Sequence, residues 1–437
     1  MARDLRKLAC GAAVLVLALA LCTSNAGAYS VLTHEEVIDL AWNDTIRPLL
    51  LARFPGATEE QLRVAHAYAY GGCTIQDMGY YPFGKKFFSD LTHYVRSGDF
   101  VAWLFRNART MDEYAFAIGA LSHYLGDSIG HSEAINPATA LAFPKLHRKY
   151  GPIVTYDQSP HGHIRTEFAF DVNELRNADF APPSYLKFIG LRVPRRFLAQ
   201  AFMNTYGFNI HEVLGRARPA LKSYRTSVRS FIPSFAEAEV VLHGNDFPIP
   251  ADEEAYQKFI DQVARANFER KWNHKNPGPG FRAHLLAIVV FLVPKIGAAS
   301  DLAIKIPTQQ TQGWYLQSVN HTVDEFRRLL RRLGREPRLA LADIDLDTGD
   351  RVKLGDYPRA DQAYARLLER IVSKPGDPIP VDLQQHILRY YANLSPTVKS
   401  ERRLQPLLTV LRGMKTVDGL GLEETSEPED EMSPEEP

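Results

Sequence analysis

A chain of 437 residues, 45% of them hydrophobic, is large enough to bury a substantial core, which excludes a wholly disordered protein and allows two packed units. Its 51 basic and 51 acidic residues cancel unevenly: positions 416–437 hold nine acids and no base, leaving 51 bases against 42 acids elsewhere, a net +9. That excess suits a phosphate-bearing substrate without separating lipid from nucleic acid, and three cysteines, two of them in an N-terminal leader, exclude an internal disulfide and a cysteine-based zinc finger.

The leader comes first. Arg3, Arg6 and Lys7 precede an apolar run from Leu8 to Leu21, and Ala26-Gly27-Ala28 is an A-x-A cleavage site. Residues 1–28 therefore read as a signal peptide, with Tyr29 as the mature first residue and export to the periplasm or medium as the expectation. An uncleaved anchor is the alternative, disfavoured by the shortness of the run. With Cys10 and Cys22 removed, only Cys73 remains, so any tightly held metal must be bound by His, Asp or Glu.

Helical periodicity follows over Glu59–Tyr70, Met111–His131, Phe197–Ala217, Ala236–Leu242, Glu253–Trp272, Val323–Leu333 and Tyr357–Ser373. Few runs alternate as strands do, and Pro/Gly clusters at 276–280 and 374–378 punctuate the helices. The predicted fold class is all-α, divided near Asn245–Pro250 into a region 29–244 and a helical region 245–415 of unknown role. Leu285–Val293 is continuously apolar but too short to span a bilayer, so a buried helix is expected. Phe326–Arg332 is basic and amphipathic; a solvated helix face is the expectation, and contact with an anionic membrane the alternative. The acidic tail 416–437 is expected to be disordered.

The chemistry concentrates in Ser122–His131. On a helix, i, i+4 and i+8 are offset by about 40° per step, so His123, Asp127 and His131 share one face. Two imidazoles and a carboxylate make a poor core stripe, since each needs a partner once desolvated, but they suit a divalent cation. His163 and Glu167 repeat the i, i+4 spacing. Upstream lie His34, five residues after Tyr29, then Asp77 in a Gly71-Gly72-Cys73-Thr74-Ile75-Gln76-Asp77 stretch, and His93 before Tyr94. A lone His-x-x-x-Asp is more often a surface ion pair or core hydrogen bond than a ligand pair; the number and order of these positions carry the argument.

This ordered set resembles the zinc-dependent phospholipase C family and its relatives, the single-strand-specific zinc nucleases. In that superfamily the mature N-terminal residue, usually Trp, offers its α-amino nitrogen and carbonyl oxygen to zinc beside a nearby His; here Tyr29 and His34 match. The resemblance implies that Asp77, His93, His123 and Asp127 hold one zinc, that Tyr29, His34 and Asp127 hold a second with Asp127 bridging, and that His131, His163 and Glu167 hold a third. It covers roughly Tyr29 to Asp171. Two departures stand out: Tyr replaces Trp, and His131 follows Asp127 by four residues, two fewer than in the bacterial phospholipases or nucleases. His147 and His161 are the rivals to His131 for the third site.

The function implied is phosphodiester hydrolysis of the phospholipase C type, with a zinc-bridged water as nucleophile and Asp77 either a ligand or the residue that orients that water. Tyr94 stands where the nucleases carry a base-stacking aromatic, which makes it the substrate-binding candidate. Tyr80, Tyr81, Phe87 and Phe88 are alternatives for a choline- or acyl-binding cleft, or plain core. A phospholipid is the leading substrate. Nucleic acid is the alternative within the superfamily, and a metal-stabilised scaffold that binds a lipid or partner without turnover is the alternative outside it.

Overall fold

Side-chain caps written into the sequence start several helices. Thr58 and Thr110 each accept from the backbone of the third helical residue, while Gln61 and Glu113 reach back to the cap, opening helices Glu59–Cys73 and Met111–Gly130. Thr308 does the same for Gln309–Leu333. The computed structural model describes residues 30–177, 181, 183–215, 217–243, 246, 248, 252–266, 281–292, 304–336, 338–394 and 402–420. Among them the architecture is all-α; the only strands are the two-residue pair Ile379–Pro380 and Thr416–Val417, joined in parallel. The leader with Tyr29, and residues 421–437, lie outside the described residues. The start of the tail expected to be disordered is instead held, Thr416–Val417 by that strand pair and Leu420 through its N–H, which donates to Asn204 Oδ1 at 2.9 Å.

Met111–Gly130 is the central helix. It is buried all round from Tyr114 to Ser128, as a helix enclosed by others must be. The first helix, Val31–Ala41, and Glu59–Cys73 pack against it from the N-terminal side, and Gln309–Leu333 packs against it from the C-terminal half. Glycine permits the closest of these contacts. A Cβ at Gly119 would lie 2.7 Å from Cys73 N and 2.8 Å from Gly72 Cα, and closer still to Ala69 O. One continuous core runs from Val31 to Met414, so the 245–415 region shares the interior of 29–244 across the division expected near Asn245–Pro250. Phe170 stacks on Tyr315 at 4.6 Å, one of the seams between the two.

Several expectations change. Phe197–Ala217 is not one helix: Gly207 at φ 84° ends Arg195–Tyr206 and Gly215 at φ 68° ends Ile210–Leu214, since an L side chain resists both angles. The apolar run falls in helix Phe281–Leu292, which is buried on one side only: Ala287 and Val290 pack inward, whereas Leu285 and Ile288 are 45% and 57% exposed. Val293 lies outside the described residues, as does the end of the expected Glu253–Trp272 helix beyond Ala266. The basic 326–332 segment keeps the expected solvated face, with Arg328, Arg331 and Arg332 exposed, while Phe326, Leu329 and Leu330 are buried and Arg327 departs from it, buried and paired with Asp44 at 2.9 Å. Among the described residues no helix is long and apolar enough to cross a membrane.

Candidate metal centre

Asp171 sets the first helix in place. Its carboxylate accepts from Leu32 N at 2.9 Å, Thr33 N at 3.1 Å and Thr33 Oγ1 at 2.6 Å, so helix Pro160–Asn177 caps the start of Val31–Ala41. Burial nonetheless pushes the Asp171 carboxyl up to about 6, against those hydrogen bonds. The cap aims His34 at the central helix. His34 Nε2 lies 3.1 Å from Asp127 Oδ1, and its ring stacks on His123 at 4.4 Å.

Three groups of potential ligands assemble around the central helix: His34, His123 and Asp127; Asp77, His93 and His123; and His131, His163 and Glu167. In each, one donor atom per residue lies within 4.8 Å of the others, and all eight residues are buried. The first two groups share His123 and are tied by Asp127, whose Oδ2 is 3.1 Å from His123 Nε2 and 3.3 Å from His93 Nε2. Asp77 Oδ1 meets His93 Nε2 at 3.3 Å. In the third group Glu167 Oε1 is 2.7 Å from His163 Nε2 and 3.3 Å from His131 Nε2. The chain turns from α- to π-helix at His131, so the four-residue spacing from Asp127 still brings that imidazole to the third group. The rivals His147 and His161 are exposed.

Three imidazoles are steered from behind by main-chain oxygens. His93 Nδ1 bonds Ser89 O at 2.8 Å, His123 Nδ1 bonds Cys73 O at 2.9 Å, and His131 Nδ1 bonds Leu346 O at 2.9 Å. A carbonyl only accepts, so Nδ1 carries the proton and Nε2 presents a lone pair towards the group. Burial, with His123 beside it, holds His34 below the ordinary imidazole range, and burial with His131 beside it holds His163 well below. Burial also pulls on His93, but its contacts to Asp127 and Asp77 carry it well above that range. Burial would raise Asp127, yet His123 and His131 keep it well below the usual carboxylate range. Burial, with Asp127 and Asp77 adding to it, lifts Glu167 well above.

The donor set fits zinc. Asp77 Oδ1, both Asp127 carboxylate oxygens, His131 Nε2, His163 Nε2 and Glu167 Oε1 are buried yet outside hydrogen-bond geometry, although ion-pair partners stand within 3.3 Å. Buried polar atoms crowded together without hydrogen bonds are costly unless a cation lies among them, and nitrogen–oxygen sets of three are what zinc takes at sites that keep a further position open. A fourth group, Asp99, Asp343 and His386, is half-buried and already carries a cation, since Arg96 bonds Asp99.

Tyr94 does not present a stacking face. It is fully buried, and its hydroxyl donates to Asp347 at 2.9 Å, so the substrate-binding expectation has no support in this geometry. Tyr80, Tyr81, Phe87 and Phe88 are buried as well, with Tyr80 5.8 Å from the His93 ring. Three contributors escaped sequence reasoning: Asp171, Tyr156, whose ring meets His163 edge-on at 5.5 Å, and the 343–350 loop. The alternating Asp343-x-Asp345-x-Asp347 was the available sign of the last.

No curated protein and no solved structure matches the chain. Residues 33–212 match the family model described as zinc dependent phospholipase C, and this span contains all eight residues of the three buried groups. Across residues 33–212, which carry every one of those ligand candidates, the chain is similar to the zinc-dependent phospholipase C family.

Proposed function

We propose that the protein is an exported, zinc-dependent phosphodiester hydrolase of the phospholipase C type, with phospholipid as its leading substrate class. The observation that carries this reading is the convergence of three buried His/carboxylate groups on one helix, two of them sharing His123. His34, Asp77, His93, His123 and Asp127 would hold a close pair of zinc ions, with Tyr29 as a further ligand by resemblance, and His131, His163 and Glu167 would hold a third. Zinc bound there would supply Lewis acidity towards a phosphoryl oxygen and acidify a water. Asp127 supplies the negative charge that joins the pair. Asp77, within the short helix Ile75–Tyr80, would serve as a zinc ligand or else orient the attacking water and accept its proton. The low imidazole pKa values of His34 and His163 keep those rings neutral, the state in which they bind a metal.

Burial favours a second reading. None of the eight residues is more than 3% exposed, which suits a structural metal core that organises the fold without turnover. The test is hydrolysis of bis(p-nitrophenyl) phosphate, phosphatidylcholine and single-stranded DNA by zinc-loaded and chelator-treated protein. Chelator-sensitive hydrolysis of phosphatidylcholine is expected. Cleavage of DNA alone would move the substrate class to nucleic acid, and no hydrolysis by a fully loaded sample would leave the scaffold.

A further inference from the structure

The family match ends at residue 212, yet the chain closes over the metal centre with a loop more than a hundred residues further on. Leu346 is inserted between two of the ligand groups: its N–H donates to His93 O at 3.2 Å, and its carbonyl accepts from His131 Nδ1 at 2.9 Å. Asp347 holds that peptide in place. Its carboxylate Oδ2 accepts from Tyr94 Oη at 2.9 Å and from Tyr357 Oη, and its other oxygen lies 3.8 Å from His131 Nδ1. Its backbone carbonyl accepts from Asn136 Nδ2 at 2.8 Å, and its N–H donates to Asp345 Oδ1 at 2.8 Å. The loop then turns at Gly349, φ 78°, where a Cβ would lie 2.8 Å from Ser128 O on the central helix. Asp345 and Asp347 are 2% and 3% exposed, so this is a built internal contact and no surface strand of acids.

We infer that Asp347 is a positioning residue for the third metal site: it locks the Leu346 carbonyl onto His131 Nδ1, fixes the tautomer and direction of that imidazole, and so makes the C-terminal region part of the metal centre. The inference rests on the proposed zinc site at His131, His163 and Glu167. Its physical content is linkage. Groups behind a ligating histidine set its orientation and basicity, and losing one lowers metal affinity by roughly 10–100-fold. Metal binding at His131 and docking of the 343–350 loop must then stabilise each other by the same factor.

The experiment is zinc titration against a chromophoric chelator, with the unmodified chain, Asp347→Ala, Tyr357→Phe and Asp350→Asn compared. Asp350 is exposed and serves as the control. Asp347→Ala is expected to weaken one zinc equivalent about 10–100-fold while the other equivalents keep their affinity. Tyr357→Phe removes a single donor to Asp347 and should weaken the same equivalent to a lesser degree, which keeps the test alive if Asp347→Ala does not fold. A merely structural role would lower the melting temperature without singling out one equivalent. Equal affinities in all four proteins, or a uniform loss across every equivalent, would overturn the positioning role. An unmodified chain that binds no third zinc would instead defeat the underlying site assignment, so the two failures are separable.

Discussion

Gly119→Ala sets two physical effects against each other. Gly119 lies inside the central helix, where alanine is favoured over glycine by about 1 kcal/mol, so propensity alone makes the variant more stable. Packing gives the opposite sign. The added Cβ would lie 2.8 Å from Gly72 Cα and 2.7 Å from Cys73 N, all backbone that no rotamer change can move. Carbon atoms rest about 3.5–4.0 Å apart, so the Glu59–Cys73 helix must retreat by about 1 Å. The bond from His123 Nδ1 to Cys73 O, 2.9 Å long, spans the same two helices and does not survive that retreat. Overpacking costs about 1–3 kcal/mol, and a buried pair left unbonded about 1–3 kcal/mol more. Net of propensity, the expected loss is about 1–5 kcal/mol, or roughly 1–5 °C in melting temperature at about 1 °C per kcal/mol for a chain of this length. Thermal unfolding by circular dichroism measures it. Gly313→Ala is the control: its Cβ would meet Asp252 Cβ at 3.5 Å, an ordinary contact, so propensity should prevail and stability rise by up to about 1 kcal/mol. A Gly119→Ala protein as stable as its parent would refute the close-packing argument.

Asp127→Asn and Glu167→Gln separate the shared carboxylate from the solitary one. Asp127 touches His34, His93 and His123, so its loss should strip two zinc equivalents, and the loss of Glu167 only one, each by more than the roughly 10–100-fold typical of outer-sphere changes. Equal losses by elemental analysis would undo the bridging role. The pH dependence follows from His93 and Glu167, whose metal-free pKa values are both raised. A raised folded pKa gives stability that is full below the unfolded value and is lost as pH rises through the folded one. The stripped protein should therefore lose stability as pH climbs beyond the ordinary imidazole range, while zinc, which needs those groups deprotonated, stabilises more. The gap in melting temperature between loaded and stripped protein is expected to widen from pH 5.5 to pH 8, and a gap that narrows contradicts the assignment.

The helices and the ligand candidates on them were legible because both are local. The i, i+4 spacing of His123, Asp127 and His131, or of His163 and Glu167, is a property of one helix turn, and the caps at Thr58 and Thr110 stand beside the residues they serve. What could not be read was set by distant chain. Leu346 reaches His131 across 215 residues, and Asp171 reaches Thr33 across 138. The fate of Tyr94 shows the same limit: an aromatic next to a ligand looks like a substrate contact until the Asp347 carboxylate, from the far end of the sequence, is seen to hold its hydroxyl. The division near Asn245–Pro250 follows composition, whereas the core follows packing and ignores it.

The carbonyls of Cys73, Ser89 and Leu346 behind His123, His93 and His131 bear on how this centre can drift. A main-chain oxygen is supplied by every amino acid, so residue identity at 73, 89 and 346 can change without deleting the bond that aims the ring. Only a shift of the backbone itself removes it. Evolutionary pressure at these places is therefore displaced onto whatever fixes the path of the peptide, the glycines and the buried carboxylate included. The buried side chains at 73, 89 and 346 answer to packing, and Ser89 also to its bonds with Gln76 O and Gly79 N, instead of to the imidazoles.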